Sequence, residues 1–443
     1  MKKHCTAFRV FQVLAAPLKL AVLVGGIAAL MVYVNYTIDC SGLYQGDLTN
    51  RTIVDLLLSG EAVSNFDQMN ERAVLELYAG QLSDEQAPHV LALGSSRVMQ
   101  LTAGAVGRSD YYNCGMTGAD YRDVINEYYA FEKAGRTPDA VILNIDPWFF
   151  RGDDSGLDIR TDVTLYNEFL AVDLGIDSGY TPPVESRAYR LTDRALGLVS
   201  RGTQTLEALN ITSDTLSALF EPAYFQGNVS YCRRRQASAV ATTEDGAIIP
   251  YVAVSAAERA EIDSEVKMPD GTIWYSAAFR ANDSATVLSM ALDQAGTFLR
   301  MSGYTQLDTA QCALFEQFVA HMQAQGVKVY FMLSPYHPFV YEYERVMNYD
   351  DHAGFFAIEP YVRQYAADHG ITVIGSYDPN RLGLTEEDFY DGLHVKESGI
   401  LKFFGGLAAD GTPEAGSVTN SALLAVNPAD DPARAEAESA AAA

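Results

Sequence analysis

The sequence predicts an α/β protein built around a parallel sheet, and three observations carry that expectation. Apolar runs at 89–93, 140–145 and 327–333 are too short for helices and rich enough in Val, Ile and Leu for buried strands. Segments with helical spacing alternate with them, which is the pattern of βαβ units. The first run stops abruptly at Gly94-Ser95-Ser96. Such punctuation presents side chains at the carboxyl end of a strand, where open α/β sheets hold their sites.

In chain order, residues 1–9 carry Lys2, Lys3 and Arg9 ahead of a run over 10–34 that only Gln12, Pro17 and Lys19 interrupt. Residues 20–34 rise only about 22 Å at ~1.5 Å per residue, short of a hydrocarbon layer of about 30 Å, so the segment must draw on 10–18 as well. This predicts an uncleaved membrane anchor over 10–36. The positive charge before it predicts a cytoplasmic tail over 1–9, with the rest of the chain across the plasma membrane. A connector follows over 37–87, with helical spacing at 63–82. The main domain is expected over 88–150 and 309–411. Its first part reads as strand 89–93, a helix near 98–105, strand 111–114, helix 120–134 and strand 140–145. Its second part reads as helix 309–325, strand 327–333, helix 361–369, strand 371–374 and a helical stretch at 396–405, with Gly326 and Gly370 closing two of the helices. Residues 151–308 loosen into a large mixed insertion. The tail over 412–443 is rich in Ala, Asp, Glu and Pro and is expected to be disordered.

Composition excludes some classes of function. The 443 residues carry a formal net charge of −26, which argues against nucleic acid as a partner, because phosphate binding needs clustered Lys and Arg. The compact basic run Arg233-Arg234-Arg235 is either a solvated segment paired with surplus carboxylates or a clamp for an anionic polymer. Cysteines at 5, 40, 114, 232 and 312 show no Cys-x-x-Cys spacing, so no zinc site or dithiol redox pair is expected, and no cofactor. Four of them follow the membrane segment, which leaves room for one or two disulfides. His321, His352 and His369 show no ligand spacing. His337, between prolines, reads as structural or as part of the rim of a site. The 26 tyrosines are more readily packing residues than a sugar platform, although aromatic faces in the insertion would suit a carbohydrate.

Candidate chemistry begins at Ser96. A serine hydroxyl is a poor nucleophile until a histidine takes its proton, and the histidine needs a carboxylate to fix its tautomer. Phe389-Tyr390-Asp391-Gly392-Leu393-His394 supplies both, in the only Asp-x-x-His of the chain. Asn113-Cys114-Gly115-Met116-Thr117-Gly118 ends the second expected strand. There the Gly115 N–H, with that of Ser96, suits the charge of a tetrahedral intermediate, and one such donor is typically worth about 100-fold to 1,000-fold in rate.

These three blocks, in this order and strand context, resemble the SGNH (GDSL-type) hydrolase superfamily, whose blocks are Gly-Asp-Ser, Asn-x-Gly-x-x-Gly and Asp-x-x-His. The resemblance covers about 88–146 and 309–406. It implies a three-layer, flavodoxin-like parallel sheet with Ser96 as nucleophile, His394 as base, Asp391 as orienting acid and Gly115 as oxyanion donor, and it places Asn113 beside the substrate. Two positions depart from the family. Ser95 replaces its aspartate, and its Gly-x-Asn-Asp block reads Leu143-Asn144-Ile145-Asp146, with Ile145 where the oxyanion asparagine belongs. Asn144 would replace that donor if the strand end were shifted, and Asp146 is expected next to the substrate. The Gly-Ser-Ser form and the anchor are similar to the envelope acyl-transfer branch, in which D-alanyl-lipoteichoic-acid transfer proteins share the layout. That likeness implies a serine acyltransferase or esterase acting on a cell-envelope glycopolymer, with an acyl donor and a membrane-bound O-acyltransferase as partners. A plain carbohydrate esterase and a catalytically silent assembly scaffold are the alternatives.

Overall fold

A computed structural model describes residues 2–39, 43–44, 47–64, 69–153, 156–180, 213–237, 252–254, 264–297, 301–408, 412–414 and 417–419. Much of the insertion and nearly all of the tail therefore lie outside the described residues, as do the side chains of Arg233-Arg234-Arg235. The strands are β1 (Ala62–Ser64), β2 (Val90–Leu93), β3 (Tyr111–Asn113), β4 (Ala140–Asn144), β5 (Val252–Val254), β6 (Val266–Lys267), β7 (Ile273–Trp274), β8 (Lys328–Leu333) and β9 (Thr372–Gly375). Five of them form a wholly parallel sheet in the order β3-β2-β4-β8-β9.

That order explains where the site lies. The chain enters the sheet at β2, next to the edge, steps outward to β3, then reverses to β4, β8 and β9, so the crevice at the carboxyl ends of β2 and β4 is the topological switch point. The strands read as near-continuous apolar runs because both faces are covered. Alternation along each strand sends Val90, Ala92, Ile142, Tyr330, Met332 and Ile374 into one core with Val98, Leu101, Phe389, Ile400 and Phe403. The opposite face carries Phe331, which packs against Phe315 of helix Thr309–Ala324 and Tyr365 of helix Ala353–Asp368.

The chain divides into two compact units. The larger one holds the parallel sheet and a four-stranded sheet in the order β5-β1-β6-β7, which ties the middle of the expected connector to the insertion. The smaller one groups the N-terminal helix, Lys2–Ile38, with helices Ser213–Leu219 and Pro222–Ala237 of the insertion. Its stretch Lys19–Ile38, 20 residues, is long and apolar enough to cross a membrane. Near its carboxyl end Asn35 is buried, donating from Nδ2 to the carbonyls of Ala218 and Leu219 at 3.1 and 2.8 Å while Asn228 Nδ2 donates to its Oδ1 at 3.1 Å.

Several elements differ from expectation for local reasons. The helix expected near 98–105 shrinks to Ala103–Val106, because Asn113 Nδ2 takes the carbonyls of Val98 and Leu101 (2.8 and 3.0 Å) and Thr102 caps the shortened helix at Ala105 N. Residues 63–82 are not one helix but β1 followed, after a gap in the described residues, by helix Glu71–Gln81. The helix expected over 361–369 starts earlier, as Ala353–Asp368, with Pro360 inside it. An unexpected helix, Pro338–Met347, starts with Pro338 in its first turn and His337 Nδ1 accepting from Phe339 N–H at 3.2 Å. At the start of the expected disordered tail, residues 412–414 and 417–419 return to the domain: Thr419 pairs with Ile374, and Val418 N–H donates to the Phe403 carbonyl at 2.8 Å.

Candidate active site

The turn that carries Ser96 is held open by a glycine. Gly94 has φ +149, and a Cβ there would lie 2.8 Å from Asn144 Cβ, so strand β2 can turn this close to β4 only without a side chain. Replacing it with alanine is expected to cost about 1–3 kcal/mol in backbone strain alone, before the clash. A lowered melting temperature with loss of Ser96 reactivity in Gly94→Ala checks this. Behind the turn, the Gly94 N–H donates to Glu127 Oε2 at 2.7 Å; this fully enclosed carboxyl is pushed well up by its burial. Of residues 90–100, Ser96 alone is not buried.

The structure brings the three expected catalytic side chains together. Ser96 Oγ lies 2.9 Å from His394 Nε2, and His394 Nδ1 lies 2.9 and 3.0 Å from the two oxygens of Asp391. The imidazole is partly exposed at 17% and the carboxylate nearly enclosed at 5%, so one end of the relay faces solvent and the other is fixed. Burial pushes the Asp391 carboxyl up, but the charge and hydrogen bond of His394 and the N–H groups of Leu393 and His394, both at 2.8 Å, outweigh it and hold it well below the usual range. Since the folded value lies below the unfolded one of about 3.9, this contribution to stability is fully present above ~pH 5 and is lost as pH falls toward the folded value. Melting curves against pH should therefore separate wild type from Asp391→Asn above ~pH 5 and converge in acid.

The insertion supplies a clamp that sequence reasoning missed. Gln294, on helix Ser284–Thr297, donates from Nε2 to Asp391 Oδ2 at 3.2 Å and accepts the Gly392 N–H at 2.6 Å. His337 N–H holds the Gly392 carbonyl at 3.0 Å, and Tyr275 packs edge-on to the His394 ring at 6.0 Å.

The remaining expected residues are near the turn, with altered roles. Asn113 is fully buried and spent on the backbone: Oδ1 accepts the Gly115 N–H at 2.9 Å in an Asx turn, while Nδ2 holds the two carbonyls already described. Gly115 is needed for close packing, since a Cβ would lie 2.7 Å from Val98 Cγ1, but its N–H points to Asn113. Asn144 is buried, its Oδ1 accepting from Ser334 Oγ at 2.6 Å and its Nδ2 without a hydrogen-bond partner among the described residues. Asp146 has no exposed surface. It accepts the Ser95 N–H at 3.1 Å and pairs with Arg97 Nη1 at 3.3 Å, so it braces the turn that carries Ser96. Burial pushes its carboxyl up against the pull of Arg97. Arg97 also donates to the carbonyls of Ser334 and Pro335, with its guanidinium carbon 3.9 Å from the centre of the Tyr336 ring. Arg97 is next to Ser96 in the sequence, but its partner lies 49 residues away.

Trp148 packs: its Nε1 donates to the Ala119 carbonyl at 2.8 Å. Cys114 and Cys312 are free thiols, while the side chains of Cys5, Cys40 and Cys232 lie outside those described. No family model matches the chain, and a search of curated proteins finds no relative.

Proposed function

We propose that the protein is a membrane-anchored serine acyltransferase or esterase of the SGNH (GDSL-type) kind, moving an ester-linked acyl group on a cell-envelope glycopolymer. The observation that carries this reading is the continuous relay from Ser96 through His394 to Asp391, which joins residues 298 positions apart at the switch point of the sheet. A relay of this geometry performs acyl transfer. The flavodoxin-like strand order and the three sequence blocks support the assignment to the superfamily.

His394 Nε2 takes the Ser96 proton as Oγ attacks the acyl carbonyl. The tetrahedral intermediate collapses with cleavage of the bond to the leaving oxygen, and that oxygen takes the proton back from His394. A hydroxyl of the glycopolymer then gives its proton to His394 as its oxygen attacks the acyl-serine, and the second intermediate collapses by breaking the bond to Ser96 Oγ, which takes the proton back from His394. Water in place of that hydroxyl makes the protein an esterase. The Ser96 N–H, which donates to no atom among the described residues, is the open oxyanion donor. Lys2, Lys3 and Arg9, ahead of the apolar stretch Lys19–Ile38, support a cytoplasmic amino end and a catalytic domain on the far side. A membrane-bound O-acyltransferase is the partner implied for acyl supply.

The test incubates the full chain in detergent with a chromogenic acyl ester, with and without a polysaccharide acceptor. Release of the alcohol that is lost in His394→Ala, with acyl groups recovered on the polysaccharide, is the expected result. Free acid alone would favour a plain esterase, and no release by any form would overturn the reading. One observation favours a silent scaffold instead: the Gly115 N–H is tied to Asn113 rather than open. That reading predicts full biological function in Ser96→Ala.

A further inference from the structure

Away from the catalytic turn, three helices of the larger unit bring together two carboxylates and an imidazole. Glu132 lies in the last turn of Tyr121–Lys133, Asp173 caps the carboxyl end of Val163–Val172, and His321 lies on Thr309–Ala324. One oxygen of each acid and one ring nitrogen of the histidine lie within 4.8 Å of one another. His321 Nε2 already meets the Glu132 oxygens at 2.8 and 3.1 Å, with its ring held edge-on by Tyr128 and Phe169 at 6.2 and 5.2 Å.

The third group makes this more than an ion pair. Asp173 Oδ2 is shut away from solvent and has no hydrogen-bond partner among the described residues. The Tyr129 hydroxyl acts on the same carboxyl, and Glu168, which also faces it, is paired with Lys133 at 2.8 Å. Even with His321 protonated, two carboxylates leave the cluster with surplus negative charge. Burial, then the charge of Glu132, push the Asp173 carboxyl up, while the hydrogen bond that the ring donates to Glu132 pushes the imidazole up. A dipositive ion would remove both penalties.

We infer that Glu132, Asp173 and His321 form a site for a zinc ion that cross-links the three helices. Zinc takes nitrogen and carboxylate oxygen at about 2.0–2.2 Å, which puts tetrahedral ligands about 3.4 Å apart, so small side-chain rotations close this set. Calcium and magnesium prefer all-oxygen shells, and the imidazole disfavours them. Three protein ligands leave a fourth position for water. Binding displaces the proton shared by His321 and Glu132, so affinity falls as pH falls. The site does not depend on the proposed acyl chemistry.

The test uses the tag-free full chain in detergent, stripped of metal and titrated with zinc against a competing chelator. One zinc per chain is expected, with affinity reduced by more than about 100-fold in Asp173→Asn and His321→Gln and unchanged in His394→Gln. No zinc bound to the wild-type chain, or equal binding by the Asp173→Asn and His321→Gln variants, overturns the site. The zinc K-edge absorption spectrum of wild type gives a reading that needs no folded variant. One imidazole nitrogen with oxygen ligands supports the site, and sulfur or a second imidazole contradicts it.

Discussion

Ser96→Ala is expected to lower ester turnover by about 10⁶-fold while leaving the fold intact, because the nucleophile of a triad accounts for a loss of that order when removed alone. The hydroxyl sits at the one unburied position of its turn and, among the described residues, bonds only to His394. Nothing in the core depends on it. Melting temperature should therefore be unchanged, which separates loss of chemistry from loss of structure. Asp391→Asn should keep the geometry but favour the wrong tautomer, costing about 10⁴-fold, and the double variant should be little worse than Ser96→Ala. Steady-state turnover of the chromogenic ester by the three variants reads all of this.

The second large effect concerns stability. Arg97→Met is expected to destabilise the protein by about 3–5 kcal/mol, because it leaves the Asp146 carboxylate buried without its countercharge. Arg97 and Asp146 side chains are 1% and 0% exposed, so solvent cannot take over the partner's role. The same change frees the carbonyls of Ser334 and Pro335 and loosens the Ser95 N–H that Asp146 holds. Denaturant melts should show the loss of stability. Labelling of Ser96 by an active-site probe should slow in the molecules that remain folded, because the turn is no longer braced. Replacing both partners with apolar residues of similar volume should recover part of the stability and none of the positioning.

What the sequence made legible follows from how local each signal is. Strands β2, β4 and β8 stood out because burial on both faces removes polar positions from the run. Asp391 and His394 stood out because their contact spans three residues and needs no knowledge of the fold. Arg97 and Asp146 were not legible as a pair, since their meeting depends on β2 and β4 being neighbours. Asn113 and Gly115 matched a block of the right spacing, yet an Asx turn within that block uses the same atoms an oxyanion site would. Gln294 was hidden in the insertion, where helical spacing says nothing about what the helix leans on. Glu132, Asp173 and His321 lie too far apart in sequence to read as a ligand motif.

Intact-mass analysis of the full chain after exposure to a fluorophosphonate tests the central claim most directly. One adduct per chain is expected, mapped by peptide sequencing to Ser96, formed slowly in His394→Ala and not at all in Ser96→Ala. No adduct on the folded wild-type chain, or one that persists in Ser96→Ala, would contradict it.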